Sequence, residues 1–125
     1  MEPVEFRVER ERIGLAQGDV SSVLGVDART VTRWESGRSA MPDYAADAME
    51  ELGRKFDAAV EGMLKVAAAN PSDAVVIQYY RMQVTYDRTH NDGGRIGMVN
   101  AVSREVARAL RAEGRTVRFV YAEDA

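Results

Sequence analysis

The sequence predicts a mainly α-helical protein that ends in a small α/β unit. Up to residue 69, apolar residues recur at helical spacing and are interrupted by glycine and proline. Beyond residue 73, two short runs rich in β-branched residues flank one further helical stripe. The segment Asn70-Pro71-Ser72-Asp73 separates the two patterns. We therefore predict a helical domain over residues 1–70, with a long last helix, and a small α/β dimerisation domain over residues 71–125.

Composition narrows the class of protein. The chain of 125 residues has a formal net charge of −3 and no cysteine. Without cysteine there are no disulfides and no thiolate metal sites, which is typical of a reducing compartment. The apolar runs are shorter than the roughly 20 residues of a membrane-spanning helix, and the first residues lack the pattern of a secretory signal. We expect a cytoplasmic protein without a metal or other cofactor.

The first predicted helix covers Pro3 to Ile13 and is ended by Gly14. Proline is well accommodated in a first turn. The residues that we expect to feed a small core are Val4, Phe6, Val8, Ile13 and Leu15. The residues that we expect on a mostly solvated face are Glu5, Arg7, Glu9, Arg10, Glu11 and Arg12.

Two short helices, Gln17–Leu24 and Ala28–Ser36, follow with a tight turn between them. Gly25 permits a backbone conformation with positive φ at the turn, and Asp27 is placed to cap the second helix. In the first helix Val20, Val23 and Leu24 form the inward stripe. In the second, Val31 and Trp34 share one face, and the opposite face carries Arg29, Thr32, Arg33 and Ser36. This arrangement predicts a helix-turn-helix.

A third helical segment begins at Pro42-Asp43, after a turn at Gly37, and runs to the break at Asn70. Its apolar stripe keeps the helical period from Tyr44 to Ala67, which predicts one long helix or two nearly collinear helices joined near Gly53. The stripe is larger than a three-helix core requires. The apolar surface that this core does not use suggests that a second domain or a partner chain packs on the helix.

The C-terminal part reads as strand, helix and strand. The predicted elements are a strand at Ala74–Ile77, a helix at Ile96–Ala112 and an alternating strand at Arg115–Tyr121. Tyr79–Arg88 suits a helix or a strand equally, and His90–Gly94 is a predicted loop. A two-stranded sheet is marginal in water. A homodimer joined through this part would enlarge its core.

Catalytic patterns are weak in this sequence. His90 is the only histidine and lies in a glycine-rich loop without a partner pattern, so we interpret it as an ordinary loop residue. The segment from Gly93 to Gly97 lacks the lysine and hydroxyl residue of a phosphate-binding loop. We therefore expect no enzymatic activity. The C-terminal aromatic residues could stack on bases, but we favour a role in the core and interface for Tyr79, Tyr80, Tyr86, Phe119 and Tyr121.

DNA reading is the function that the helix-turn-helix favours. A helix fits the major groove, where arginine can pair bidentately with guanine. Arg29 and Arg33 are one helical turn apart, and Thr32 can hydrogen-bond a base or contact a thymine methyl group. Groups on phosphates would then come from Gln17, Ser36, Arg38 and Ser39. Gln17 has a simpler alternative as a polar residue at a helix start. The acidic charge is concentrated in residues 43–73, away from this face.

The run RERIGLAQGDVSSVLGVDARTVTRWESGR, from Arg10 to Arg38, resembles the Cro/C1-type (XRE) helix-turn-helix family. The resemblance implies base-reading positions at Ala28, Arg29, Thr32 and Arg33, and phosphate-facing positions at Gln17, Ser36 and Arg38. Two residues depart from the family pattern. Ala16 stands where serine or threonine usually caps the helix, and Ser21 stands where alanine usually packs between the helices.

The string WESGRSAMPD, followed by a long helix and an α/β tail, resembles the anti-CRISPR-associated autorepressors. This likeness implies a phage or mobile-element homodimer that binds an inverted repeat in double-stranded DNA and represses its own operon. An alternative is an antitoxin-type interaction protein, whose C-terminal unit binds a toxin while the helix-turn-helix provides autoregulation. A toxin that copurifies with the chain would favour this alternative.

Overall fold

The computed structural model describes residues 1–70, 72 and 74–125. It is mainly helical, with a small two-stranded parallel sheet near the C-terminus, as the sequence predicts. The chain groups into two compact units, Met1–Lys55 and Phe56–Ala125. The division falls inside the long helix, whereas the predicted domain boundary is the break at residues 70–73. Pro71 and Asp73 of that break lie outside the described residues, and the boundary stays a prediction.

The N-terminal unit is built from α1 (Pro3–Arg12), α2 (Gln17–Leu24), α3 (Ala28–Ser36) and the first part of α4 (Asp43–Ala69). Its core contains the buried rings of Phe6 and Trp34, which meet edge-to-face at 6.3 Å between centroids. The exposed Tyr44 packs edge-to-face on Trp34 at 6.2 Å. The other buried apolar residues of this unit are Ile13, Leu15, Val20, Val31, Ala45 and Met49.

The turn between α2 and α3 has the predicted local chemistry. Gly25 adopts φ +71°, in the left-handed region that residues with a side chain seldom occupy. The Asp27 carboxylate accepts a hydrogen bond of 2.8 Å from the backbone N–H of Thr30. Both signals act within a few residues, which explains why the bounds of α2 and α3 match the sequence prediction.

The predicted packing of α1 is partly wrong. Val4 and Val8 are 64% and 58% exposed, whereas Arg10 is 9% exposed. Phe6, Arg10 and Ile13 are spaced by four and three residues, so they share the buried face of α1. Val4 and Val8 each lie two positions from Phe6 and therefore point away from that face. In α2, Val23 is likewise exposed rather than inward.

Helix α4 is one continuous helix of 27 residues, which decides between the two predicted forms. Gly53 lies where α1 approaches: a Cβ built there would be 2.6 Å from Glu9 Oε1. Gly53 therefore lies inside a continuous helix, beside the end of the Glu9 side chain, and not at a joint between two helices.

The C-terminal unit contains the second part of α4, β1 (Ala74–Tyr79), α5 (Gln83–Thr89), α6 (Ile96–Ala112), β2 (Thr116–Tyr121) and a 3₁₀ turn at Ala122–Asp124. The strands pair in parallel, from Ala74 with Thr116 to Tyr79 with Tyr121. Parallel strands need a crossover connection, which α5 and α6 provide. The undecided segment Tyr79–Arg88 contains the last residue of β1, a connection at residues 80–82 and all of α5 except Thr89.

One face of the sheet packs on α6. Ile77 and Val117 are buried there with Val102, Val106 and Leu110 of the helix. Arg115, just before β2, donates from Nη1 to the carbonyl oxygen of Ala67 at 2.7 Å and from Nη2 to that of Asn70 at 3.0 Å. The carbonyl oxygen of Ala67 also accepts from the backbone N–H of Asn70 at 3.2 Å. The arginine therefore adds a side-chain donor to the carbonyls at the end of the helix. None of the helices in the described part of the chain is long and apolar enough to cross a membrane.

Candidate nucleic-acid interface

The exposed face of α3 carries the four residues predicted to read bases. Ala28, Arg29, Thr32 and Arg33 are all exposed, while Val31 and Trp34 are 0% and 4% exposed on the opposite side. The two sides follow from the helical period, because residues three and four apart share a face. The helix is therefore held by one face and presents the other to solvent.

Arg29, Arg33 and Arg38 have no carboxylate partner among the residues that the structure describes. The charges of Arg29 and Arg33 do act on Asp27. Its pKa is lowered by the hydrogen bonds that it accepts from Thr30, and to a smaller extent by the nearby charges of Arg29 and Arg33. Elsewhere in the N-terminal unit, arginines are paired: Arg54, for example, lies 2.7 Å from Glu51. The exposed face of α3 thus keeps its positive charge available to an anion.

A buried ion pair anchors α3 to α1. The guanidinium of Arg10 donates to both carboxylate oxygens of Glu35, at 2.7 and 2.8 Å, and its Nη1 donates to the carbonyl oxygen of Leu15 at 3.0 Å. The two side chains are 10% and 4% exposed. Such a bidentate pair fixes both position and orientation, so it sets how α3 lies against α1.

The same carboxylate extends the network to the exposed face. Glu35 Oε1 accepts from Gln17 Nε2 at 3.1 Å. Gln17 Oε1 in turn accepts from Thr32 Oγ1 at 2.8 Å. We name the four residues Arg10, Glu35, Gln17 and Thr32 the brace. It joins α1, α2 and α3 through side chains alone.

The pKa of Glu35 is lower than that of an ordinary glutamate. Burial alone would raise its pKa, but the hydrogen bonds from Arg10 and Gln17 and the charge of Arg10 outweigh that effect and hold the pKa below its ordinary value of 4.5. The pKa of Arg10 is raised, chiefly by its hydrogen bond to Glu35. The pair is therefore charged on both sides at neutral pH.

Sequence reasoning missed Arg10 and Glu35. The charge of Arg10 predicts a solvated position, whereas its spacing from Phe6 and Ile13 puts it on the buried stripe of α1. Glu35 lies four positions after the buried Val31 and so on the same side of α3, which is a signal of partial burial. The partner of each residue could not be found from spacing, since the two are 25 positions apart.

The residues predicted to face phosphates lie at two places. Gln17 is the first residue of α2, partly buried and engaged at both ends of its amide by the brace. Ser36, Arg38 and Ser39 lie at the end of α3, where Ser36 Oγ donates to the carbonyl oxygen of Arg33 at 3.2 Å. Ser36 and Arg38 are exposed and Ser39 is partly buried. Phosphate contact by these residues stays a prediction.

The two departures from the family pattern are both satisfied locally. Asp19 accepts from the backbone N–H of Ala16 at 2.9 Å, so the first turn of α2 still has a carboxylate bonded to its N-cap residue. Ser21 is buried and donates to the carbonyl oxygen of Gly18 at 2.8 Å. Neither residue disturbs the bounds of α2.

His90 is exposed and has partners that explain its position. Its ring stacks on Tyr86 at 4.4 Å with an interplanar angle of 6°, and Nδ1 lies 2.8 Å from Thr89 Oγ1. Tyr86 is buried, and its hydroxyl donates to Asp92 at 2.9 Å. Burial, together with that hydrogen bond, raises the pKa of Tyr86 to about 12. Within residues 1–70, 72 and 74–125, no group of three His, Asp or Glu side chains could hold a metal ion.

No protein-family model matches the chain, and none of the curated proteins matches it. The resemblance to helix-turn-helix regulators therefore remains a prediction from the residues quoted above.

Proposed function

We propose that this protein is a sequence-specific DNA-binding repressor of the Cro/C1 type, acting in the cytoplasm as a homodimer on an inverted repeat. Control of its own operon is part of the proposal. The observation that carries it is the exposed face of α3, where Arg29, Thr32 and Arg33 are presented together and both arginines lack an ion-pair partner among the described residues.

The chemistry of that face suits base edges in a major groove. Each arginine can give two parallel hydrogen bonds to guanine. The Thr32 hydroxyl proton is directed to Gln17 Oε1 and to the carbonyl oxygen of Ala28, at 2.8 and 3.0 Å. Thr32 therefore offers a base its methyl group or its oxygen lone pairs, which suits a thymine methyl or a donor.

The brace supports the proposal because reading requires a helix held in one orientation. A displacement of the helix axis would move both arginine side chains relative to the bases at once. The pair of Arg10 and Glu35 restrains α3 from α1, and Gln17 restrains it from α2. Preorganisation of this kind reduces the ordering that binding must supply.

The decisive experiment compares two classes of arginine on the same surface. With the chain's own upstream DNA, Arg29→Ala and Arg33→Ala should each weaken binding by roughly tenfold to a hundredfold and relax the preference at one base position. Arg38→Ala is the matched control: it should weaken binding to all sequences alike and flatten the salt dependence by about one charge. Fluorescence anisotropy with point-substituted operators measures both effects.

Unchanged affinity and base preference in Arg29→Ala and Arg33→Ala would contradict the proposal. A toxin that copurifies with the chain, with DNA binding limited to autoregulation, would instead support the antitoxin-type alternative.

A further inference from the structure

The outer edge of β1 is an open groove in the C-terminal unit. The groove has a volume of about 290 Å³ and is lined by the consecutive strand residues Ala74–Ile77. Residues Met63 and Val66 of α4 form one wall, and Val106 and Leu110 of α6 form the other. Consecutive residues of a strand point to alternate faces, so a groove that touches all four follows the edge of the strand. Apart from Asn70, the residues that line the groove are apolar.

The side chains around this edge are unusually exposed for their type. Val66 is 73% exposed, Val76 53% and Met63 37%. All three line the same groove. Single exposed apolar residues are ordinary, but a cluster around a concave apolar surface marks a contact site.

Strand β1 also lacks the usual protection of a sheet edge. Natural edge strands carry charged residues, proline or a bulge that prevent pairing with another chain. Residues 74–79 read AVVIQY and contain neither charge nor proline. The other strand, β2, carries Arg118 near its centre. The edge at β1 is therefore uncharged, whereas the edge at β2 carries a positive charge.

The sheet has only two strands within one chain, which is fewer than a stable sheet usually has. It consists of two parallel strands, and α6 covers one face. On the other face Ala74, Val76 and Gln78 of β1 are exposed. Two-stranded sheets are marginally stable, so strands added at the free edge of β1 would stabilise this one.

We infer that the groove along β1 is the site at which a second copy of this chain binds, with the two β1 strands paired antiparallel about a two-fold axis. The resulting sheet has four strands in the order β2, β1, β1, β2. The inference rests on the homodimer of the proposed function and names the surface that forms it. Main-chain hydrogen bonds join the two β1 strands, and Met63 and Val66 of each copy pack beside the joined strands.

Self-pairing follows from the chemistry of the strand. About a two-fold axis, residues near the strand centre meet their own copies. An uncharged strand can do this without repulsion, whereas the same pairing through β2 would bring two Arg118 side chains together, and like charges directly opposite are destabilising. A two-fold arrangement closes with two copies. Pairing of β1 with β2 of the next copy would leave an edge open and continue into a filament.

Single-cysteine variants test the pairing directly, because the chain has no cysteine of its own. When two strands pair antiparallel about a two-fold axis normal to the sheet, one residue lies opposite its own copy. The Cα atoms of these two residues are about 4.5–5.5 Å apart, which is within reach of a disulfide. Cysteine placed in turn at residues 75–78 should give an interchain disulfide at one position and little at its neighbours. Cysteine at Arg118 or at the exposed Val84 of α5 should give none.

A charge in the groove provides the second test. Val66→Glu should convert the dimer to a monomer in sedimentation, because pairing would desolvate the new carboxylate in an apolar groove. Val84→Glu is the matched control, since Val84 is 48% exposed and outside the groove, and it should remain dimeric. Circular dichroism of both variants reports whether the fold is retained.

All measurements are made without DNA, so they separate the two proposals. A monomeric wild-type chain, a dimer that persists in a folded Val66→Glu variant, or crosslinking through Arg118→Cys and not through β1 would overturn this inference. A dimer joined through β1 that fails to bind its upstream DNA would overturn the proposed function and leave the inference standing.

Discussion

Glu35 links three helices of the N-terminal unit through its side-chain hydrogen bonds. It accepts hydrogen bonds from Arg10 of α1 and Gln17 of α2, and it belongs to the helix that presents the candidate reading face. A buried ion pair of this kind contributes little net stability compared with a well-packed apolar pair, but the loss of one partner leaves an uncompensated charge. Glu35 therefore orients α3, and its loss should also destabilise the fold.

Glu35→Ala should lower the free energy of unfolding by about 3 kcal/mol, because it leaves the buried Arg10 without its partner. Glu51→Ala is the matched control: its pair with Arg54 is exposed on both sides, so no measurable loss is expected. Urea unfolding followed by circular dichroism measures both. Equal stabilities for the two variants would contradict a structural role of the brace.

The same residue should govern part of the acid sensitivity. Because the pKa of Glu35 is lower in the folded protein than in the unfolded chain, its contribution to stability is present above its ordinary pKa of 4.5 and is lost as the pH falls through the folded value. The stability difference between the wild type and Glu35→Gln should accordingly be largest near neutral pH and shrink as the pH falls below 4.5. Urea titrations across that range measure it.

At the scale of elements, the helices begin and end where local chemistry directs them. Asp27 caps α3, Gly25 and Gly37 end α2 and α3 with φ near +71° and +79°, and Arg115 satisfies the carbonyls at the end of α4. Inside α4, by contrast, Gly53 and Gly62 have no turn to make. Their surroundings differ, since a Cβ at Gly53 would meet Glu9, whereas one at Gly62 would meet nothing within 4 Å.

Gly62→Ala should therefore stabilise the protein by about 0.5–1 kcal/mol, through helix propensity alone. Gly25→Ala should destabilise it by roughly 1–2 kcal/mol, because a side chain is strained at positive φ. Chemical unfolding of the two variants gives the comparison. Destabilisation by Gly62→Ala would show that α4 is covered or bent at that point.

At the scale of the whole molecule, the proposed function and the proposed interface belong together. One reading helix with two principal arginines offers few base contacts, and the protein as a whole is acidic. A single unit should consequently bind one half-site only modestly at physiological salt. Two units on a two-fold axis bind two half-sites and match the symmetry of an inverted repeat.

The spacing of the half-sites should be sharply restricted. Dimeric helix-turn-helix proteins read half-sites about 34 Å apart, one turn of DNA. Inserting about five base pairs between the half-sites turns one of them to the opposite side of the duplex and should reduce binding to that of a single half-site. Titrations with spacing variants of the upstream DNA check this, and affinity independent of spacing would contradict a two-fold reader.

The sequence by itself determined most of the elements and the exposed surface of α3, but it left Tyr79–Arg88 undecided between helix and strand. Caps, turn glycines and helical periodicity act over a few residues, so α2, α3 and α6 could be bounded and the exposed arginines identified without a structure. The core of α1 was predicted less well, because Val4 and Val8 are as apolar as Phe6 and only the direction of packing distinguishes them.

Only the tertiary structure decided which distant groups meet. Arg10 and Glu35 are 25 positions apart, and Gln17 and Thr32 are 15 apart, so no local pattern could pair them. The parallel register of β1 and β2, and with it the open edge beside Met63 and Val66, likewise depends on the crossover through α5 and α6. Periodicity specifies which face of an element is buried; packing alone specifies what that face is buried against.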